Sequence, residues 1–354
     1  MRLHLTNARG VGVVEFMRSL LPHFLELDSV SKIWGPCDSW FLEMGSKSKT
    51  KKTVIFPFRR TLPNSISRFL ECTFMSGEFE GDSPLIVFGD IPLRVRCKQI
   101  LFLQNCLLLG EPSGSHKVTL KLRVQKWLLR INLRFVDQVI VQTNVMKKQF
   151  CACFPTYHGG VYVVSQPAQS WLLDTGKRRK VRVSDGRLRL MYPAANYQHK
   201  NHRILLNIDE KDLSNVCEIW LSVSELDKKS SQRPFLKMLG PLDSAEMVAL
   251  YDKCDALLFL SLCESYGFPL VEAMHIGIPI ICPDLPYAHE LCGDQAIYFN
   301  PNSAESLVNS IKLLQKALKD GWYPNWEARL EAFPKSWSIV ANEIITIARM
   351  KKFE

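Results

Sequence analysis

Leu257–Glu290 reads LLFLSLCESYGFPLVEAMHIGIPIICPDLPYAHE, and the reading of the chain works outward from it. The apolar run Leu257–Ser261 has the length and composition of a buried strand. A short loop with Glu264 and Gly267 follows. A helix then begins at Pro269, where a proline suits the first helical position because its missing N–H would have no partner there anyway. Pro279–Cys282 is the next strand and Pro286–Leu291 the next helix. Strand, loop, helix and strand at this spacing form part of a parallel α/β sheet.

The same alternation extends both ways. Upstream in the second half, strands are expected at Arg187–Tyr192, Glu218–Val223 and Phe235–Leu239, with helices at Asn201–Ile208 and Ser244–Lys253. Downstream come a strand at Ala296–Phe299 and amphipathic helices at Ser303–Leu318 and Trp337–Met350. The first half shows strand-like runs at Thr53–Phe58, Pro84–Phe88, Gln99–Gln104, Gln138–Gln142 and Val161–Val164, with a long helix over 115–135. Between the halves, residues 166–186 collect Pro, Gly, Ser and the basic cluster Lys177–Lys180. The expected domains are 1–170, a linker at 171–186, 187–335, and a C-terminal helix at 336–354 that packs back on the first domain.

The chemistry follows from the local geometry. A helix N-terminus at the carboxyl end of a parallel strand presents amide groups and a positive dipole to a phosphate. Gly267 allows close backbone approach, and Phe268, Pro269 and Leu270 complete the turn. Glu272, expected in the first turn and facing the loop, has the chemistry to accept hydrogen bonds from a ribose diol. Glu264 in the loop is suited to sugar hydroxyls. Two carboxylates around a phosphate cradle suit a nucleotide diphosphate sugar.

The motif Glu264-Ser-Tyr-Gly267-Phe268-Pro269-Leu-Val-Glu272-Ala273-Met274, followed by Gly277-Ile-Pro279 and Glu290, resembles the Glu-x7-Glu signature of retaining glycosyltransferases of family 4. The likeness is strong over residues 235–315 and weak elsewhere. It implies a GT-B fold, two Rossmann-like doubly wound domains facing a central cleft, with the acceptor side in the first domain and the nucleotide sugar in the second. It implies retention of anomeric configuration without a metal or other cofactor. The family places an arginine and, five residues later, a lysine near the donor diphosphate; Lys200 matches the lysine, and Ala195 stands where the arginine is expected. Lys200 and Glu264 are thus the catalytic candidates, with Glu272, Gly267, Phe268, Pro269 and Leu270 on the donor.

Arg9-Gly10-Val-Gly12 resembles the glycine loop that faces the donor phosphate from the first domain, though a tight turn explains a lone G-x-G equally well. Asp90, Gln104 and Asn105 end two expected strands and are candidates for the acceptor side or cleft; Gln104 stands near where many relatives carry a histidine. His199 and His202 read as polar surface residues.

A net charge of +10 and a pI near 9.0 point to an anionic partner. No nucleic-acid module accompanies the charge, so nucleic acid is not expected. Eleven cysteines without a C-x-x-C pair, the closest being Cys151 and Cys153, read as reduced thiols rather than a disulfide framework. No signal-peptide pattern or membrane-spanning run is present, so a cytoplasmic protein, peripheral on the inner face of the cytoplasmic membrane, is expected. The basic stretch His116, Lys117, Lys121, Arg123, Lys126, Arg130 and Arg134 alternates with Leu120, Val124, Trp127, Leu128 and Ile131. It is either a surface helix whose apolar face packs on the sheet, or an anionic-membrane contact through Lys117, Lys121, Lys126 and Arg130.

The expected activity is transfer of a sugar from a nucleotide diphosphate sugar to a hydroxyl of a saccharide or lipid-linked saccharide acceptor in surface polysaccharide synthesis. A nucleotide-sugar epimerase of the same fold and a non-catalytic sugar-nucleotide or membrane-binding module are the alternatives.

Overall fold

A computed structural model describes residues 1–8, 10–46, 53–60, 62–110, 119–176, 187–213, 217–226 and 233–351. Arg9, Lys117 and the Lys177–Lys180 cluster lie outside the described residues. The chain divides into two compact units, one of Met1–Gly110, Lys117–Ser170 and Pro334–Glu354, the other chiefly Trp171–Phe333.

The first unit runs β1 (Arg2–His4), α1 (Val11–Leu25), β2 (Lys32–Pro36), α2 (Ser39–Ser46), β3 (Val54–Phe58), α3 (Asn64–Thr73), β4 (Leu85–Phe88), β5 (Gln99–Phe102), α4 (Leu120–Asn132), β6 (Gln138–Val141), α5 (Asn144–Cys153) and β7 (Gly160–Val163). Its sheet is parallel throughout, in the order β3-β2-β1-β4-β5-β6-β7. β4, β5 and β6 are fully buried, as a parallel sheet covered on both faces requires. On one face Phe16 and Phe24 of α1 pack on Phe88 and Phe102. On the other, Leu85, Val87, Leu101 and Val139 meet Cys72 of α3, Leu128 and Leu129 of α4, and Phe150 of α5.

The second unit follows α6 (Ser170–Leu173) with β8 (Leu188–Tyr192), α7 (Glu210–Leu213), β9 (Cys217–Leu221), β10 (Leu236–Met238), α8 (Ser244–Lys253), β11 (Ala256–Leu258), α9 (Phe268–Ile276), β12 (Ile280–Pro283), α10 (Pro286–Cys292), β13 (Ile297–Phe299), α11 (Ala304–Lys319) and α12 (Glu327–Glu331). Its parallel sheet has the order β10-β9-β8-β11-β12-β13. α8 starts at a capping box, Asp243 and Glu246 each accepting from the other's backbone N–H at 2.8 Å. The last helix, α13 (Trp337–Arg349), belongs to the first unit: Trp337 stacks edge-on against Phe16 at 5.5 Å and donates to the Ala168 carbonyl at 2.9 Å.

Several expectations are corrected. β2 and α3 were not expected from the sequence. The helix expected at Asn201–Ile208 is a 3-10 segment, His202–Asn207, entered through Asn201 at φ 54°. In α4 the residues facing the core are Leu128, Leu129 and Asn132, whereas Leu120, Val124 and Trp127 are exposed. The buried amide of Asn132 sets this rotation, donating to the carbonyls of Cys72 and Pro92 at 3.1 and 2.9 Å. All eleven cysteines are free.

In each sheet the strand order reverses beside the first strand, between β1 and β4 and between β8 and β11. Loops leaving the carboxyl ends of such a strand pair diverge and open a crevice for a ligand.

Candidate functional site

The loops that follow β8 and β11 carry Lys200 and Glu264, so the switch point of the second sheet gathers residues far apart in sequence. The loops are stitched together: Leu262 N–H donates to the His199 carbonyl at 2.8 Å, and the Tyr192 hydroxyl donates to the Lys200 carbonyl at 2.8 Å. With both backbones held, Lys200 Nζ lies 2.5 Å from Glu264 Oε1 in a partly buried ion pair. Tyr287 closes the floor by donating to the Ser261 carbonyl. Burial, and then the nearby Glu264 charge, push the phenols of Tyr192 and Tyr287 well above their ordinary pKa, so both remain neutral donors.

α9 begins one residue earlier than the sequence suggests. Gly267 takes the left-handed conformation at φ 93°, which makes Phe268 the first helical residue and moves Pro269 to the second. Glu272 is therefore the fifth residue and lies beyond the first turn. A side chain at Gly267 would be strained by that φ and would bring its Cβ within 3.2 Å of Leu270 Cδ1. Leu270, Val271, Ala273, Met274 and Ile276 are buried, and the Phe268 ring packs on Tyr266 at 5.1 Å, so the helix start is held firmly.

Glu272 is 4% exposed and accepts a hydrogen bond from Tyr251 of α8 at 2.8 Å. Tyr251 is fully buried; burial and then the Glu272 charge raise its phenol pKa far above normal, which keeps the donating proton in place. A carboxylate taken out of water needs such compensation. Tyr251 was missed in the sequence, and its signal was that a phenol on a core-facing helix position needs a polar partner.

Ala195, where the resemblance puts an arginine, is exposed and carries no charge. His199 stacks on Tyr197 with rings 5.8 Å apart and 7° from parallel. His202 is not on the surface: it is 3% exposed, packed on the Tyr192 ring at 4.8 Å, and burial lowers its pKa to about 4. Glu290 sits in α10, where its carbonyl accepts from Arg329.

The remaining candidates lie in the first unit. Gly10, at φ 92°, caps α1, and Gly12 lies in its first turn; a Cβ at either would meet nothing within 4 Å. Asp90 and Asn105, after β4 and β5, come together with Asn105 Nδ2 donating to Asp90 Oδ2 at 3.1 Å. Burial raises the Asp90 pKa, against the pull of Asn105 and of the Arg68 and Lys121 charges. Gln104 is half-buried beside them in sequence. Lys121, Lys126 and Arg130 are exposed on α4.

A family model described as "Glycosyl transferases group 1" matches residues 222–321, the part that contains Glu264, α9 and Glu290. An O-antigen chain mannosyltransferase, RfbU of Salmonella typhimurium, is 23% identical over 199 residues, covering 54% of this chain and 51% of that protein. The chain thus spans about half the length of this curated relative. Among solved structures, a sucrose-phosphate synthase from Thermosynechococcus elongatus superposes with a TM-score of 0.70 at 12% identity, covering 98% of each chain. WaaG, a glycosyltransferase involved in lipopolysaccharide biosynthesis, superposes with a TM-score of 0.63 at 12% identity over 99% of this chain and 100% of its own. These neighbours share the two-Rossmann GT-B architecture, and residues 222–321 of this chain carry a glycosyl transferases group 1 region within it.

Proposed function

We propose that this protein is a retaining glycosyltransferase that moves a hexosyl group, mannosyl in the first instance, from a nucleotide diphosphate sugar to a hydroxyl of a saccharide in surface polysaccharide synthesis. The acceptor in this reading is lipid-linked. The observation that carries it is the partly buried Lys200–Glu264 pair at the switch point, beside the start of α9. A cation, a helix dipole and a carboxylate meet there, which is what a diphosphate joined to a sugar needs.

In the reaction, the donor diphosphate draws Lys200 toward itself, and the first-turn amides of α9 share the load of the negative charge that grows as the glycosidic bond breaks. No metal is required for that neutralisation. Glu264, released from Lys200, turns to the hydroxyls of the transferred sugar. Glu272, oriented by Tyr251, accepts from the ribose hydroxyls. Asp90 and Asn105 serve the acceptor hydroxyl. The support from relatives is the mannosyltransferase name of RfbU and the sequence match around Glu264 and Glu272.

The test is thermal unfolding against a panel of nucleoside diphosphates and their sugars, repeated on Glu272→Ala and Lys200→Ala. A ligand at about 100 times its Kd should stabilise the wild type by about 2.7 kcal/mol. Loss of that shift in both variants supports the donor site. A folded protein that responds to none of the panel overturns the transferase reading. Product stereochemistry with the responding donor then decides retention, and a donor converted without acceptor would identify an epimerase.

A further inference from the structure

Asn201 is the only residue besides glycine with a positive φ among the described residues, at φ 54° and ψ 27°. It stands directly after Lys200, between the 3-10 segments Gln198–Lys200 and His202–Asn207. Glycine enters this left-handed region freely, asparagine does so more readily than most residues, and a branched side chain is strained there. The Asn201 amide is used far from its own turn. Its Nδ2 donates to the Pro301 carbonyl at 3.2 Å, 100 residues along the chain, in the turn after β13. A glycine would make the turn but leave that carbonyl without the amide. A larger side chain would strain the turn. Asparagine meets both needs.

The anchor is itself fixed. Asn300 N–H donates to Ser306 Oγ at 2.9 Å and Asn302 N–H to Asn300 Oδ1 at 3.0 Å, which ties the turn to the start of α11. On the near side of Asn201, the Lys200 N–H donates to the Tyr197 carbonyl at 2.9 Å, and the Lys200 carbonyl accepts from Tyr192 at the end of β8. The preceding carbonyl, of His199, accepts from Leu262 in the loop after β11. The backbone around Lys200 is thus held by β8, by the loop after β11 and, through Asn201, by the loop after β13. A lysine ammonium rides on a flexible four-carbon stem, so where its charge can reach is set by how firmly the backbone on both sides of it is fixed.

We propose that Asn201 is a positioning residue for Lys200. Its left-handed turn redirects the chain immediately after the lysine, and its amide pins that turn to the loop after β13, so that the ammonium stays at Glu264 and meets the donor diphosphate there. The inference rests on the reading of Lys200 as the diphosphate ligand and adds the residue that aims it. Asn201 acts through Lys200 and contacts neither phosphate nor sugar in this role. A turn that merely joined two segments would need no amide: at the other described positive-φ positions of the second unit, Gly267 and Gly277 among them, the residue is glycine.

The experiment is a double-mutant cycle on the full chain, read by calorimetric titration with uridine, guanosine and adenosine diphosphates. Asn201→Gly keeps the turn and removes the amide, and should weaken binding of the responding diphosphate by about threefold to tenfold. Asn201→Ala also strains the turn and should lose at least as much. In a Lys200→Ala background, Asn201→Gly should change nothing further, because residues that act through one another are not additive. Circular dichroism and the urea midpoint, taken on every variant, show that each is folded. An equal loss in both backgrounds assigns Asn201 to general packing and overturns the proposal. Asn201→Gly that binds like wild type, while Lys200→Ala does not, overturns it too and leaves the reading of Lys200 standing. A wild type that binds none of the three diphosphates, or Lys200→Ala that binds like wild type, ends the reading of Lys200 and the proposal with it.

Discussion

Two short helices, α3 in the first unit and α9 in the second, each bury a glutamate, yet the surroundings of the two carboxylates differ in kind. Glu71 of α3 sits among Arg60, Arg68, His4 and Thr6. Although burial alone would raise its pKa, the Arg68 charge and the His4 and Thr6 hydrogen bonds outweigh that and hold the carboxyl well below the usual range. Glu272 of α9 lies in a helix otherwise apolar except for His275 and accepts a hydrogen bond from the neutral hydroxyl of Tyr251. A carboxylate whose charge is matched by guanidinium groups from its own fold acts as a structural rivet. A carboxylate held by a phenol is oriented by a neutral donor, which leaves that pair without a charge match. The contrast separates a buried carboxylate matched by cations of its own fold from one oriented by a neutral hydroxyl.

The largest expected effect tests the rivet. Glu71→Ala leaves Arg60 and Arg68 buried against a lost partner and should destabilise the first unit by about 3–5 kcal/mol, read by urea unfolding. Because the folded pKa of Glu71 is depressed, its contribution is fully present above the unfolded value of 4.5 and is lost as pH falls below it. A small effect of Glu71→Ala would erase the distinction between the two glutamates.

The second unit has its own acid sensitivity, through His202 rather than through a carboxylate. Its pKa falls from 6.5 unfolded to about 4 folded, so the unfolded chain binds the proton first and stability declines as pH drops from 6.5 toward 4. Between pH 7 and pH 5 the loss should be about 2 kcal/mol from this group. His202→Phe should flatten that part of the pH–stability curve; an unchanged slope would show that another group controls it.

Tyr251→Phe sharpens the comparison from the side of Glu272. Removing one hydroxyl from a buried pair should cost about 1–3 kcal/mol of stability. The orienting role predicts more: nucleotide affinity, measured by calorimetry, should weaken by about fivefold to tenfold, corresponding to about 1 kcal/mol. A stability loss with unchanged affinity would reduce Tyr251 to a packing residue. The smallest effect belongs to Phe69→Ser, which removes an exposed apolar group of α3 and should change stability by within about 0.5 kcal/mol, read by urea unfolding. A large stability loss there would mean that α3 buries this face after all.

Much of the second unit was legible in the sequence, and the first unit much less so. The apolar runs of β8, β11 and β12 are long enough to announce buried strands, and Gly267 with Pro269 announces a helix start within one residue of its true position. α3 was not legible because the amphipathic pattern in Ile66, Arg68, Phe69 and Glu71 separates two faces without saying which one is inward. The same ambiguity left α4 open between a face packed on the sheet and an outward one; Leu120, Val124 and Trp127 look like a core stripe and are exposed. His202 looked like a surface residue because a histidine beside Lys200 and Asn201 carries no local sign of the Tyr192 ring that covers it.

What the sequence by itself determined are the features that local stereochemistry controls: the alternation of strands and helices, the left-handed turn that Gly267 permits, the capping box of α8, and the spacing of eight residues between Glu264 and Glu272. Only the tertiary structure decided that Lys200 meets Glu264 across 64 residues, that Tyr251 supports Glu272, and that α3 and α4 turn their apolar faces outward. The physical reason is that backbone conformation is settled by neighbours along the chain, whereas burial and charge pairing are settled by whichever side chains the folded sheet brings within a few ångströms.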